Sequence, residues 1–406
     1  MLKKIILVFC LLILAYSAIQ AGESSQWRGP NRNGIYPEKN LLKKWPENGP
    51  KLLWTADGLG IGFSSVAVAG DQVYITGMID NIGYLFSYDT NGKFLWKVAY
   101  GKEWHEGHPG ARTTPMIFDG RIYIMSGYAN VICFDPQKGK QLWNVDLVEK
   151  FGARNLKWGM TESLLIDGDR LICTPGGADA VVVALDRKTG KTIWKSKANG
   201  EKSAYCSPVI INHGNVRLLI TMTAKSVIAL DPENGKLIWT SPHITKYGIN
   251  PNTPIYKNGS LYCVSGYGTG GERLKLSKDG KSVTEVWRDE TLDSQMGAAI
   301  LINGYIYGSG HKNKGWHCLN WETGNVEFSS RKLGGKGNVI YADGLLYCYD
   351  ESGKIGLVKP NPKAFTVVSS FKVPLGERQH WAHPVIDDGR LYVRHGSALM
   401  TYSIAK

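Results

Sequence analysis

The most regular feature of the sequence is the alternation of short apolar runs with polar turns that contain glycine. In one recurring unit an apolar run is followed by an Asp-Gly or Asn-Gly turn and a second run with a large residue, as in Asp119, Gly120 and Tyr123. Asp-Gly and Asn-Gly supply the positive φ angles that tight hairpin turns require. Each unit therefore predicts a β-hairpin.

A second unit follows the first and consists of Asp, a few turn residues, Gly-Lys and, after two more residues, Trp. Its copies begin and end at Asp89 and Trp96, Asp135 and Trp143, Asp186 and Trp194, Asp231 and Trp239, and, more loosely, Asp279 and Trp287. We interpret the Asp as accepting backbone N–H bonds within the turn and the Trp as packing against the neighbouring repeat. Each repeat then contains two hairpins, or four strands.

The number of repeats follows from aligning the large residue of the second strand. This position is occupied by Tyr74, Tyr123, Ile172, Leu218, Tyr262, Tyr307, Tyr347 and Tyr392. The spacing is 40 to 49 residues, and four strands at such a period are typical of a β-propeller. The sequence therefore predicts an all-β fold, an eight-bladed β-propeller with four-stranded antiparallel blades.

The two ends of the repeat array are complementary. The last repeat stops after three strands, near Tyr402, and a solitary strand at residues 51–54 precedes the first repeat. We expect this N-terminal strand to complete the last blade, since closure leaves no open sheet edge. The predicted divisions are a signal peptide at 1–21, an N-terminal extension at 22–50 and the propeller at 51–406.

The beginning of the chain resembles a secretory leader. Lys3 and Lys4 precede an apolar run from Ile5 to about Ala18, a pattern typical of a cleaved signal peptide. The run of about 14 residues is shorter than the roughly 20 that a spanning helix needs. We expect a periplasmic or secreted protein whose mature chain has no transmembrane span.

Composition narrows the function classes. The apolar share of 43% excludes a disordered chain, and the net charge of +13 falls to +11 without Lys3 and Lys4. No Lys/Arg-rich stripe with interleaved aromatic residues stands out, which disfavours nucleic acid as a partner. The six cysteines that follow the predicted signal peptide lie in strand-like surroundings and form no Cys-x-x-Cys pair. We therefore interpret them as buried thiols rather than as a zinc site.

Two further segments carry a resemblance to a known family. They are Gln26-Trp27-Arg28-Gly29-Pro30 and the stretch from Trp45 to Trp54. With the repeated Asp-to-Trp unit, they resemble the quinoprotein-like eight-bladed propellers with PQQ-like repeats, in particular a secreted branch with an N-terminal Trp-Arg-Gly-Pro motif. The chain also resembles the outer-membrane assembly factor BamB.

The resemblance implies several functions. One is a non-catalytic module that binds a ligand or a periplasmic protein partner; another is a quinoprotein alcohol or sugar dehydrogenase dependent on pyrroloquinoline quinone (PQQ). The dehydrogenases resemble one another in a vicinal Cys-Cys pair, a set of calcium-holding Glu, Asn and Asp residues and a longer chain, none of which can be matched here, so PQQ is disfavoured. A third alternative is a polysaccharide-active enzyme such as a lyase.

The candidate site follows from propeller geometry. Hairpin turns occupy one face, and the loops between blades converge around the channel on the other, where a concave site is expected. Those loops contain the candidate rim residues His105, His108, Arg112, Arg154, Trp158, Glu162, His380, Trp381 and His383, with Tyr205 and Tyr267 as additional phenols. They predict a cationic pocket for an anionic carbohydrate; alternatively, the same side chains plug the channel. Two His-x-x-His pairs in loops do not favour a metal site, and we expect a monomer.

Overall fold

The computed structural model describes residues 24–296 and 299–406. Its first three strands are β1 (Ser24–Ser25), β2 (Ile35–Tyr36) and β3 (Lys51–Ala56). The predicted signal peptide at 1–21 lies outside the described residues. Among the residues that are described, no helix is long and apolar enough to cross a membrane.

The chain then forms eight sheets, each built around consecutive antiparallel strands. From the innermost to the outermost strand, blades one to four contain β4 (Ala67–Ala69), β5 (Gln72–Ile79), β6 (Ile82–Asp89) and β7 (Phe94–Lys102); β8 (Met116–Phe118), β9 (Arg121–Met125), β10 (Asn130–Phe134) and β11 (Gln141–Asp146); β12 (Leu165–Asp167), β13 (Arg170–Cys173), β14 (Val182–Asp186) and β15 (Thr192–Ser196); β16 (Val209–His213), β17 (Val216–Met222), β18 (Ser226–Leu230) and β19 (Leu237–Pro242).

Blades five to eight continue the same order. They contain β20 (Ile255–Lys257), β21 (Ser260–Ser265), β22 (Gly270–Leu276) and β23 (Val283–Asp289); β24 (Ala299–Ile302), β25 (Tyr305–Gly310), β26 (Gly315–Asn320) and β27 (Val326–Ser330); β28 (Gly337–Ala342), β29 (Leu345–Asp350), β30 (Lys354–Lys359) and β31 (Thr366–Lys372); β32 (Val385–Asp387), β33 (Arg390–His395) and β34 (Ala398–Ser403). A short helix, α1 (Leu147–Phe151), follows β11. The predicted eight-bladed propeller is confirmed.

Strand β3 completes the eighth blade. It pairs antiparallel with β34, so that Lys51 lies opposite Ser403 and Ala56 lies opposite Leu399. The eighth blade thus combines three strands from the C-terminal end of the chain with one from its N-terminal part. This pairing confirms the predicted closure of the ring by an N-terminal strand.

The hydrophobic core lies between adjacent blades. One buried cluster, for example, combines Tyr123 and Val131 of the second blade with Leu171 and Val183 of the third. The six cysteines in the described part of the chain are free and buried, which agrees with their interpretation as small apolar residues.

The repeated tryptophans join consecutive blades. Trp143, Trp194 and Trp239 each donate an indole N–H bond to a backbone carbonyl in the next blade, over 3.2, 3.1 and 3.1 Å. The glycine of the next turn packs against the indole; at Gly235, where φ is +74°, an added Cβ would lie 2.5 Å from the ring of Trp194. The structural role predicted for these residues is confirmed.

Residues 24–36, which we call the channel segment, lie inside the propeller. Strand β1 pairs antiparallel with β8, and β2 pairs parallel with β28. Because β8 and β28 are the innermost strands of the second and seventh blades, the segment between them crosses the central channel. The sequence patterns do not predict this crossing.

Candidate functional site

The innermost part of the propeller is held by a series of hydroxyl groups, one from each of five consecutive blades. The backbone N–H of Ser65 donates to Thr114 Oγ1 (3.1 Å), that of Thr114 donates to Ser163 Oγ (3.4 Å), and that of Ser163 donates to Ser207 Oγ (2.9 Å). Thr253 Oγ1 donates to the carbonyl of Ser207 over 2.8 Å. These residues form a hydroxyl belt that links the entrances of five blades.

The same repeat position is also polar in the seventh and eighth blades. Asn338 Nδ2 donates to the carbonyl of Trp381 over 2.9 Å, and Ser65 Oγ donates to the carbonyl of His383 over 2.9 Å. The corresponding residue of the sixth blade, Ala298, lies outside the described residues. His383 therefore occupies the belt position of the last blade.

A cavity of about 240 Å³ lies at the centre of the propeller. Belt residues Thr114, Ser163, Ser207 and His383 line it. In an extended chain, side chains two positions apart point to the same side. The residues two positions before each belt position therefore line the cavity as well: Phe63, Arg112, Thr161, Tyr205, Pro251, Met296 and Trp381. The remaining lining residues are Trp27, His108, Trp158, Ile249, Tyr267 and Gln295.

The mouth of the cavity is lined by aromatic rings. The His108 imidazole lies between two indoles, with centroid distances of 5.3 Å to Trp158 and 5.0 Å to Trp381. Phe63 packs against Trp381 on the other side, with centroids 5.0 Å apart. Burial and the nearby Arg112 lower the pKa of His108 below its usual value, so its imidazole is neutral at pH 7.

Arg112 places a positive charge in the cavity wall. Its Nη2 donates to the carbonyls of His108 and Gly107, and its guanidinium lies 5.5 Å from the centroid of the Phe63 ring. Burial lowers the pKa of Arg112 to about 10, with Glu103 opposing this shift. The side chain therefore stays cationic at neutral pH, and its hydrogen-bond partners are neutral carbonyls.

A chain of hydrogen bonds joins two sides of the wall. Gln295 Nε2 donates to Tyr267 Oη (2.7 Å), and Lys336 Nζ donates to Gln295 Oε1 (3.0 Å). Lys336 also pairs with Glu351 at 2.9 Å, and Glu351 accepts from Trp381 Nε1 at 2.6 Å. The rings of Tyr267 and Trp381 are thus fixed before any ligand enters.

His383 is buried at the inner end of the cavity. Its Nε2 donates to the carbonyl of Met296 over 2.8 Å, and no partner is found for Nδ1 in the described residues. Burial, with a smaller contribution from Arg28, lowers the pKa of His383 to about 3. His383 is therefore a neutral imidazole at pH 7, which does not favour a proton-transfer role.

Five of the nine residues predicted for the rim line this cavity together: His108, Arg112, Trp158, Trp381 and His383. Glu162 lies one position before the belt residue Ser163, so its side chain points away from the channel and accepts from Thr174 N at 3.0 Å. Burial raises the pKa of Glu162 to about 8.

The other three residues lie outside the cavity. The Nδ1 of His105 is 3.0 Å from Tyr128 Oη, and Arg154 is exposed. His380 stacks on His395, with ring centroids 3.6 Å apart. Burial and, after it, His395 lower the pKa of His380 to about 4.

Sequence reasoning missed Trp27 and the hydroxyl belt. A signal for the belt exists, because Thr114, Ser207, Thr253 and His383 each precede a proline at the start of an innermost strand. Trp27 has no counterpart in the repeats, since it comes from the channel segment. Its ring lies edge-on to His383, with centroids 5.3 Å apart.

Comparison with known proteins identifies the family. The family described as outer membrane protein assembly factor BamB matches residues 81–330. The chain belongs to this family of PQQ-like propellers. BamB of Moranella endobia is 24% identical over 326 residues, which cover 73% of this chain and 81% of that protein.

The BamB-like propeller also matches quinoprotein dehydrogenases. The quinoprotein alcohol dehydrogenase PedH of Pseudomonas putida is 29% identical over 160 residues, 37% of this chain. The match spans 25% of PedH, and those to 1-butanol dehydrogenase (quinone) of Thauera butanivorans and to a quinoprotein ethanol dehydrogenase of Pseudomonas aeruginosa also span a quarter of those proteins.

Solved structures show the same fold at low sequence identity. BamB of Moraxella catarrhalis superposes with a TM-score of 0.62 at 15% identity, covering 87% of this chain and 97% of that one. The quinohemoprotein alcohol dehydrogenase of Comamonas testosteroni superposes with a TM-score of 0.68 at 11% identity, covering 92% and 79%. At these identities the likeness extends to the fold alone.

Proposed function

We propose that this BamB-like propeller is an exported binding module whose central cavity takes one ring of an anionic carbohydrate, such as a uronic acid residue. The observation that carries the proposal is the cation of Arg112 in an aromatic wall, in a cavity whose described lining residues include no Asp or Glu. A carboxylate that entered would meet the Arg112 cation in a partly desolvated site, where Coulomb attraction is stronger than in water.

The shape and chemistry of the wall support a sugar ring. The indole rings of Trp158 and Trp381 supply apolar wall for one side of such a ring, and the belt hydroxyls of Thr114, Ser163 and Ser207 offer partners to its hydroxyl groups. A volume of about 240 Å³ is well above the roughly 10–15 Å³ that one water needs and below the roughly 300 Å³ at which pockets for drug-sized ligands begin. The cavity suits one ring, with the rest of a glycan outside the mouth.

A second cationic side chain near the cavity supports an anionic ligand as well. The Nζ of Lys157 lies 4.9 Å from the ring centroid of Trp158, which lines the cavity. Because salt screens exposed charges over about 8 Å at physiological ionic strength, we expect the affinity for an acidic glycan to fall as salt is added.

The quinoprotein alternative would require residues that hold a quinone on a calcium ion. Calcium takes oxygen ligands, mainly carboxylates and carbonyls. Within residues 24–296 and 299–406, no acidic side chain lines the cavity, and no group of three or more His, Cys, Asp or Glu is placed to hold a metal. The lining residues therefore do not fit this cofactor, and we derive no dehydrogenase step.

A lyase is favoured as a second candidate by one observation. Arg112 would neutralise a uronate, and the neutral imidazole of His108, whose backbone carbonyl already accepts from Arg112, would take the C5 proton next to that carboxylate. The electron pair of the C5–H bond would form the C4=C5 double bond as the glycosidic C4–O bond breaks, and the protonated imidazole would return its proton to the departing oxygen. Burial raises the pKa of the other candidate base, Tyr205, to about 12, so His108 is the better base at neutral pH. Release of an unsaturated uronate, followed by its ultraviolet absorbance, tests this activity.

Binding of a protein partner remains a separate candidate for the same face. Ile244 and Tyr247 are 68% and 59% exposed, and the Tyr247 ring lies 5.1 Å from that of Tyr267 at the cavity wall. A photo-crosslinking residue at position 247 should capture an envelope protein that a probe at Ile193, on the outer strand β15, does not capture. Equal capture at both positions would contradict docking on this face.

Calorimetric titration with trigalacturonate, and with neutral maltotriose as comparison, tests the main proposal. Arg112→Gln should reduce the affinity for trigalacturonate at least tenfold, about 1.4 kcal/mol. Arg390→Gln is the matched control, because Arg390 pairs only with the exposed Asp388 on the opposite face among its described ion pairs. Equal affinity of Arg112→Gln and wild type, or equal binding of both trisaccharides, would refute the proposal.

A further inference from the structure

The channel segment is attached to blades on all sides of the channel. Beyond the pairings of β1 with the second blade and β2 with the seventh, Ser25 Oγ accepts from the backbone N–H of Val68 in the first blade, over 3.0 Å. Because these contacts lie on several blades, the position of the segment is not set by any single blade. It docks as a unit inside the closed ring.

Two buried arginines extend these attachments. Arg28 Nη2 donates to the carbonyl of Ala299 over 2.8 Å, in the sixth blade. Arg32 Nη1 donates to the carbonyl of Leu164 over 2.8 Å, and its Nη2 donates to that of Ser163, both in the third blade. These pairings and hydrogen bonds join the channel segment to blades one, two, three, six and seven.

Burying these two arginines costs free energy of folding. Arg28 and Arg32 are 2% and 3% exposed, no ion pair is found for either in the described chain, and their Nε atoms have no partner there. Burial lowers the pKa of both to about 10. Burying a charge outside an ion pair costs stability, and Glu162 offsets only part of the effect of burial on Arg32, so stability alone does not account for two buried arginines in one short segment.

The segment also divides the channel. The cavity described above lies on one side and is lined by Trp27. A second cavity, of about 470 Å³, is lined by Asn31, Arg32, Asn33 and Ile35 of the same segment together with residues of the innermost strands β16 and β20. The channel segment therefore separates the two cavities, and it contributes wall to both.

Trp27 is the part of the segment that meets the proposed ligand. It packs edge-on against His383, and the neighbouring Arg28 guanidinium lies 5.6 Å from the Trp27 ring centroid. The glycine at 34 is needed for this arrangement, because its φ is +75° and an added Cβ would lie 2.7 Å from Arg28 Nη2. The sequence of the segment is thus fitted to place Trp27 in the wall.

We propose that the channel segment is a plug that completes the carbohydrate site, with Trp27 as a specificity-determining wall, so that the ligand site exists only while the segment is docked. This inference rests on the proposed function. Docking of the segment and binding of the ligand then stabilise each other by the same factor, because coupling between two binding equilibria is reciprocal. The plug does not take part in ring closure, which β3 provides by pairing with β34.

Three variants separate the contributions of the plug. Trp27→Ala removes the wall and should weaken trigalacturonate binding at least tenfold, whereas Trp27→Phe keeps a ring and should bind within about threefold of wild type. Arg32→Met changes no residue that lines the ligand cavity, yet it loosens the plug and should also weaken binding. A chain starting at residue 37 should fold and fail to bind.

Hydrogen exchange measured by mass spectrometry supplies a readout independent of affinity. Trigalacturonate should slow exchange in residues 24–36 of the wild type, and Arg32→Met should speed exchange there and in β8 and β28, with maltotriose as the ligand control. Wild-type binding that survives unchanged in Arg32→Met and in the chain starting at residue 37 would overturn the plug while leaving the proposed function intact. Absence of wild-type binding would overturn both.

Discussion

The indole Nε1 of Trp194 donates to the backbone carbonyl of Pro232, 3.1 Å away in the following blade. The tryptophan is 8% exposed, and the turn glycine Gly235 lies against its ring. Trp143 and Trp239 make the corresponding contacts one blade earlier and one blade later. Each of these three tryptophans therefore joins its blade to the next.

Trp194→Ala should destabilise the propeller by about 3 to 5 kcal/mol, the usual cost of truncating a buried Trp. The loss has two parts, since the variant leaves a cavity between two blades and an unpaired carbonyl at Pro232. Equilibrium unfolding in urea measures it. Trp158→Ala is the comparison, because Trp158 lines an open cavity and should change stability by less than about 1 kcal/mol. Equal losses in the two variants would contradict this division of roles.

The closing strand leads to a second prediction. A chain starting at residue 56 lacks nearly all of β3, which exposes the edge of β34 in the eighth blade. Exposed sheet edges favour association between chains, so this protein should aggregate. Light scattering after gel filtration measures the effect.

The control for that truncation is the chain starting at residue 37, which lacks the channel segment but keeps β3. It should remain monomeric. A chain starting at residue 56 that stayed monomeric with an unchanged melting temperature would show that β3 is not needed for closure.

The fold could be predicted from the sequence because its determinants are local and repeated. The turn at Asp186 and the tryptophan at Trp194 are eight residues apart, and the same unit recurs along the chain. Each copy independently indicates a hairpin, so errors in one repeat do not change the count. The closure of the ring could be predicted because the last repeat has only three strands and a solitary strand at residues 51–54 precedes the first repeat.

The site was predictable only in part, because the direction of a loop side chain depends on its register. Glu162 and Ser163 are adjacent, yet Ser163 lines the cavity and Glu162 points away to Thr174. The positions of Trp27 and the channel segment could not be predicted from the sequence for a different reason. Their contacts, such as Ile35 with Tyr341, join distant parts of the chain and have no repeat to reveal them.

Glu162 should make stability fall as pH rises. Burial raises its pKa to about 8 from an ordinary 4.5, so the folded state binds more protons than the unfolded state between these values. The stability from this group is present below pH 4.5 and lost as pH rises through 8. Glu162→Gln keeps the shape without titrating, so its melting temperature relative to wild type should rise across this range. A constant difference would show that Glu162 has an ordinary pKa.

His383 should have the opposite effect on stability: the free energy of unfolding should fall as pH falls below 6.5. Burial lowers its pKa to about 3 from 6.5, so the unfolded state binds more protons between these values. The stability from His383 is present above pH 6.5 and lost as pH falls toward 3.

His383→Gln tests this effect, because glutamine retains an N–H donor for the carbonyl of Met296 but cannot be protonated. The variant should be less stable than wild type at pH 7, where it has lost the packing of the imidazole against Trp27. The difference in melting temperature should narrow as pH falls below 6.5, because acid destabilises only the wild type at this position. His380→Gln should show the same trend, since burial and His395 lower the pKa of His380 to about 4. A difference that stayed constant from pH 7 to pH 4 in His383→Gln would mean that His383 is protonated as readily in the folded protein as in the unfolded chain, and that its cavity is open to water.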